Sequence, residues 1–178
     1  NGLLLLNQYP VDSHFPDINI QGGKILLTIP KGTADNAPLV LVRLNADATL
    51  DQTFGNVGES VTDLIGNMNG LRQYFGTTIE RDGKITVSGH KNIGTLVYGL
   101  DRKLADGRPD LSFLPESASG GLFCCVMMPG LVRLNNGRYQ MWINNSNITF
   151  FVHEFNALGG YERNSFWGDL YGVSGSCP

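Results

Sequence analysis

The chain has 178 residues, of which 16% are charged, 42% are hydrophobic and 23 are glycine, with a formal charge of −3 and an isoelectric point near 5.5. That length suits about one domain, and the lightly charged, glycine-rich composition excludes coiled coils, helical bundles and disordered tails. The negative balance removes the basic footprint that counterion release requires, so no nucleic-acid partner is expected.

In chain order, the first feature is an aliphatic run at residues 3–6, bounded by Asn1 and Asn7. It is far shorter than the ~20 apolar residues of a spanning helix and has no basic flank, so neither a membrane span nor a signal peptide is expected. The missing initial Met points to a processed or excised chain. Gly23-Lys24-Ile25 then marks a turn into a strand, and Arg43-Leu44-Asn45-Ala46-Asp47-Ala48-Thr49-Leu50-Asp51-Gln52-Thr53-Phe54 follows. Both segments return in the same order, as Gly83-Lys84-Ile85 and as the stretch from Arg102 to Phe113. Arg43, Ala46, Asp47, Asp51 and Phe54 coincide with Arg102, Ala105, Asp106, Asp110 and Phe113 at one fixed offset of 59 residues, without a gap. Thr53 faces Ser112 at the same offset. Gly137-Arg138-Tyr139 opens a third copy. There Phe155-Asn156-Ala157-Leu158-Gly159-Gly160 stands where the Asp-bearing turn belongs, and Ser165-Phe166 stands in for Thr53-Phe54. Three units are expected, at 1–60, 61–116 and 117–178, the last degenerate; together they form one β domain or part of a larger propeller.

Alternation and turn residues predict strands at 73–80, 84–88 and 95–100 in unit two, and at 139–143 and 148–155 around a polar tip at 144–147 in unit three. No stretch of about a dozen residues carries a helical period with a cap. The class is all-β, built of three repeated antiparallel units.

Asp82-Gly83-Lys84-Ile85, then Arg102, Asp106-Gly107, Asp110 and Ser112-Phe113, resembles the delta-60 repeat, a DGKI-type hairpin followed by an R…DG..D.SFG segment. Arg43, Asp47, Asp51 and Thr53-Phe54-Gly55 fit the pattern in unit one, with Ala48 in place of the turn glycine; unit three has lost both motif Asp. The resemblance implies β-propeller blades, a scaffold role, and no catalytic residue within the motif. It assigns structural roles to Gly23, Lys24, Arg43, Asp47, Asp51, Phe54, Gly83, Lys84, Arg102, Asp106, Asp110, Phe113, Gly137 and Phe166. A closed propeller needs ~4 to 8 blades. Three units therefore leave further repeats in a longer chain, ring completion as a homo-oligomer, or a β-trefoil-like pseudo-threefold fold, for which Gln140-Met141-Trp142 offers a single Q-x-W triplet.

Asn45, Asp47 and Asp51 have the alternating oxygens of a calcium loop, but a feature repeated in every unit is read as a turn lock, with Asp accepting backbone N–H groups. No cofactor is expected. His14, His90 and His153 fall at non-equivalent places in their units, and no nucleophile elbow, phosphate loop or H-E-x-x-H motif occurs. A hydrolase with carboxylates at a channel mouth is the alternative activity, although no pair is singled out. Cys124-Cys125 is read as two thiols in preference to a strained vicinal disulfide, and Cys177 stands near the end of the sequence. The ligand-binding candidates are Trp142, Asn144, Asn145, Asn147, Tyr161 and Trp167, rings edged by amides suited to sugar or peptide recognition. The expected function is non-enzymatic recognition or scaffolding of a glycan or protein, outside the cell or on its surface, with a structural subunit of a toxin or adhesin as a further alternative.

Overall fold

The computed structural model describes residues 16–34, 36–65, 67–68, 71–72, 75–92, 96–117, 126–145 and 149–167. Among these residues there are thirteen strands and no helix: β1 (Asp17–Gln21), β2 (Lys24–Pro30), β3 (Pro38–Leu44), β4 (Glu59–Ile65), β5 (Asn67–Met68), β6 (Leu71–Arg72), β7 (Gly76–Ile79), β8 (Ile85–Asn92), β9 (Leu96–Lys103), β10 (Val126–Arg133), β11 (Tyr139–Asn145), β12 (Thr149–Phe155) and β13 (Tyr161–Trp167). All pairings between them are antiparallel. β1–β4 and β10–β13 are four-stranded meanders, and β7–β9 form three strands of the middle unit.

Sequence pattern and burial agree strand by strand. β4 alternates, with Val61 and Asp63 exposed while Ser60, Thr62 and Leu64 are buried, because one of its faces meets solvent. β2 and β3 read as nearly continuous apolar runs because both of their faces are covered. Leu26, Leu39, Leu41 and Leu64 face unit two and pack with Phe54, Ile85 and Val87. Leu27, Ile29, Val40, Val42 and Leu44 form a second cluster on the opposite face.

Units one and two pack face against face. Along one edge their sheets meet at a single bridge, Ile65 to His90. Along the other, Asp17 accepts the Thr77 amide at 2.7 Å and the Thr28 and Thr77 hydroxyls pair at 2.6 Å. The result is a nearly closed, barrel-like sheet around the Leu26–Phe54–Val87 core. Unit three packs on the far side of unit two, where Tyr98, Leu100 and Phe113 meet Tyr139, Met141 and Phe155.

Two expectations need correction. The boundary at 60/61 cuts through β4, which pairs with β3 and belongs to unit one. The equation of Ser165-Phe166 with Thr53-Phe54 also fails. Ser60 stands opposite Leu41 in unit one and Ser165 stands opposite Val152 in unit three, and both lie within the fourth strand. Unit one leaves its turn at Thr49, loops out through Asp51 and Phe54, and rejoins the sheet where the Gly58 carbonyl accepts the Arg43 amide. Unit three goes from Gly160 almost directly to Arg163 opposite Glu154. The Phe-bearing loop is excised there, and Phe166 is a strand residue opposite Phe151.

Candidate functional site

The repeated motif residues form an interlock between successive units. In unit one, Arg43 Nε donates to Asp51 Oδ2 at 2.7 Å and its NH1 donates to the carbonyl of Ala105 in unit two at 2.7 Å. Its guanidinium also lies 4.3 Å from the centre of the Phe54 ring. In unit two, Arg102 repeats each contact one unit on: Asp110 at 2.9 Å, the Ala157 carbonyl at 3.1 Å, and the Phe113 ring at 4.4 Å. Lys24 and Lys84 place a second cation on the same carboxylates, at 2.7 and 3.3 Å. Thr53 and Ser112 hydroxyls take the other oxygen, at 2.7 and 2.6 Å. Gly23, Gly83 and Gly137 close the hairpin turns.

The chain after each Phe docks on the next unit's turn. The Gly55 amide donates to the Asp106 carbonyl, and the Leu114 amide donates to the Leu158 carbonyl, both at 2.7 Å. Gly107 and Gly159 must be glycine for two reasons. Their φ values are 87° and 89°, and a Cβ would lie 2.8 Å from the Phe54 ring or 2.6 Å from the Phe113 ring. Asp47 and Asp106 lock their turns by accepting the Thr49 and Arg108 amides, and in unit three Asn156 takes over by accepting from Leu158 and Gly160.

Burial alone raises the Asp51 carboxyl, but hydrogen bonds from Lys24, Thr53 and Arg43 outweigh it and hold the group well below the usual carboxylate range. Asp110 follows the same balance: burial opposes, while Ser112, Arg102 and Lys84 bring it to about 2. Neither carboxyl holds a proton for acid catalysis near neutral pH.

Gln21 and Glu80, which the repeat does not single out, complete the junctions. Gln21 accepts from Arg43 at 2.7 Å and donates to the Gly83 carbonyl at 2.6 Å. Glu80 accepts from the Tyr139 hydroxyl and from Thr86, and Arg133 approaches its other oxygen at 3.3 Å. Their shared position is one residue before each hairpin turn, and it carries no identity to betray it. An open groove of about 520 Å³ lies between these hairpins at the first junction, lined by Gln21, Lys24, Arg43, Glu80, Arg81 and Asp82.

The ligand-binding candidates divide across one sheet. Met141 and His153 pair in a row facing unit two, so the rows on either side face away from it: Trp142, Val152 and Ser165, and Gln140, Glu154 and Arg163. On that outer face Glu154 is 7% exposed, accepting from Arg163 at 2.6 Å and from Gln140 at 2.9 Å, and those contacts hold its carboxyl below the usual range. Trp142 is half-buried beside them. Tyr161 is on the opposite face, packed against Phe155 and His153 as part of the junction core. Asn144 and Trp167 share a backbone row with Phe150, and Asn145 pairs with Thr149. The side chains of Asn144, Asn145, Trp167 and Phe166 fall outside the described residues, as do Asn147, His14, Cys124, Cys125 and Cys177.

The residues of the calcium alternative have partners within the chain. Asp51 already carries Lys24 and Arg43, and Asn45 turns its amide nitrogen toward Thr49. Among the described residues no group of three or more His, Cys, Asp or Glu is placed to hold a metal ion. His90 and His153 instead flank Tyr98 in a buried ring ladder, at 4.7 and 5.3 Å between centres. Burial lowers both imidazoles, His90 to about 4, and raises the Tyr98 hydroxyl to about 12. No helix among the described residues is long and apolar enough to cross a membrane. In comparisons with known proteins, no family model and no curated protein matches the chain.

Proposed function

We propose that the chain is a non-enzymatic recognition and scaffold module of delta-60-like, propeller-blade units, acting outside the cell or on its surface. The observation that carries this reading is the interlock: the motif arginines, each held by its own Asp, reach the next unit, while Asp47 and Asp106 lock the turns. Asp51, Asp110 and Glu154 are each ionised against an arginine, which leaves the hydrolase alternative without a proton donor among them. Four-stranded meanders packed face against face favour blades over a trefoil arrangement.

The recognition face is the outer side of unit three. An indole there shares its face with an amide, a carboxylate and a guanidinium two rows away, a combination that stacks on a sugar ring and hydrogen-bonds its hydroxyls, or that receives a polar protein surface. Glycan-array and pull-down screens test this, with Trp142→Ala as the comparison. A ligand whose retention falls about tenfold in Trp142→Ala, a loss of ~1.4 kcal/mol, is the expected outcome. A hydrolytic activity with no retained ligand would overturn the reading.

A further inference from the structure

We infer that the second junction is a joint that acid opens: protonation of His90 and His153, one from each side of it, releases unit three from unit two while units one and two stay packed. Both imidazoles belong to this junction. On β8, Ile85 and Val87 pack with unit one, so the alternate row, Thr86, Ser88 and His90, faces unit three. His153 on β12 faces it from the other side, and the Tyr98 ring lies between the two, 4.7 Å from His90 and 5.3 Å from His153. Each imidazole is 3% exposed, and among the described residues neither Nδ1 has a hydrogen-bond partner.

A neutral imidazole protonated at Nε2 leaves Nδ1 as a bare acceptor, whereas the imidazolium carries an N–H on both nitrogens. The charged form needs an acceptor at Nδ1 and water or an anion around it, and the closed junction supplies neither. The described charged groups stand elsewhere. Glu80, Arg102, Asp110 and Arg133 gather around Tyr139, at the level of Thr86 on β8, four positions and about 13 Å along the strand from His90. On β13, Tyr161 packs on the His153 ring, and its amide donates to Glu116. Lys91 and Asp63 pair with each other on the unit-one side, and Glu154 and Arg163 pair on the outer face. Burial lowers both imidazoles, His90 from 6.5 to about 4, so the junction is at full strength above pH 6.5 and weakens as the pH falls toward 4.

The first junction has the opposite response. The described residues of its core, Leu26, Leu39, Leu41, Phe54, Leu64, Ile85 and Val87, include no imidazole. Beside it Asp101 accepts from the Asp63 amide and pairs with Lys103 at 3.0 Å. Burial raises the Asp101 carboxyl, so the folded chain takes up that proton first and gains stability as the pH falls. Asp51 is held well below the usual carboxylate range and stays ionised throughout.

Hydrogen exchange of the full chain at about pH 7 and about pH 4.5, corrected for intrinsic rates, tests the inference. The Leu114 and Glu116 amides, which bond to the unit-three turn, report the second junction, and Val40 and Val42 in β3 report the core of unit one. Protection at Leu114 and Glu116 should fall at least about tenfold in acid, and at the lower pH these two amides should exchange at least about tenfold faster than Val40 and Val42. In a His90→Leu/His153→Leu variant the acid loss should shrink to less than about threefold. Unchanged protection at Leu114 and Glu116 overturns the inference. So does equal protection of all four amides in acid, which would mean that the chain opens as one body. A loss that survives in the double variant also overturns it, by assigning the effect to a carboxylate such as Glu80 or Glu116. The first two outcomes are read on the unaltered chain, so they decide the matter even where the double variant fails to fold.

Discussion

Asp110 lies under Arg102 and Lys84 and also accepts from Ser112, so removing its carboxylate takes from the buried Arg102 guanidinium its nearest anion and leaves it Tyr139, the Ala157 carbonyl and Glu80 at 3.8 Å. Asp110→Ala should therefore destabilise the chain by about 3 kcal/mol or more in urea titrations, since breaking one partner of a buried pair costs more than the pair itself contributes. The acid limb of stability has two windows at this scale. The folded pKa of His90 is lowered from 6.5 to about 4, so stability is full above 6.5 and falls as the pH drops toward 4, where the unfolded chain binds a proton that the folded one refuses. That difference is worth about 3 kcal/mol. His90→Leu should reduce the fall of denaturation midpoints between pH 6.5 and 4, leaving the part that the likewise lowered His153 contributes; an unchanged slope would refute the assignment. The carboxylates act lower, because Asp110 is depressed to about 2, and its contribution is lost as the pH falls from 3.8 through that value. The Arg, Asp and Phe of the motif are legible in the sequence because they repeat at a fixed offset. Gln21 and Glu80 are not, because one position holds an amide in unit one and a carboxylate in unit two, each suited to a different neighbour.

Among the elements, strands and turns follow from local chemistry. The predicted strand at 148–155 appears as Thr149–Phe155, and that at 95–100 appears as Leu96–Lys103. The expected polar tip at 144–147 starts inside β11, which continues through Asn145 by pairing with Thr149, while residues 146–148 lie outside the described ones. Turn glycines look alike in the sequence but differ in surroundings. A Cβ at Gly23 would meet nothing within 4 Å, whereas at Gly107 it would meet the Phe54 ring and the Gly55 amide nitrogen. Gly23→Ala should cost only the left-handed backbone strain of about 1–2 kcal/mol. Gly107→Ala should cost clearly more, because either the ring or the turn must move. Thermal denaturation of the two variants checks the ordering, and equal losses would show that the first junction yields to the extra methyl.

At the scale of the whole molecule, stability is a sum over junctions. Phe54 belongs to the first junction's core and Phe113 to the second's, with no member in common. Each Phe→Ala change should cost about 3–5 kcal/mol. Independent junctions make the double variant's loss the sum of the singles to within about 0.5 kcal/mol, the nearest-neighbour behaviour of a repeat array. A marked departure in urea titrations of the double variant would mean that unit two transmits strain from one face to the other.

The all-β class and the turns were legible in the residues alone, and so were the identities that recur at a fixed offset, because alternation, turn chemistry and repetition are local or periodic properties. It took the packed sheets to show that each Arg and Phe acts on the following unit, that Tyr161 faces the core while Trp142 faces away from it, and that unit three has its Phe loop excised instead of merely altered. Those facts depend on which face of a sheet meets which neighbour. A strand's alternation distinguishes its two faces, and the packing of the next unit determines which face is covered.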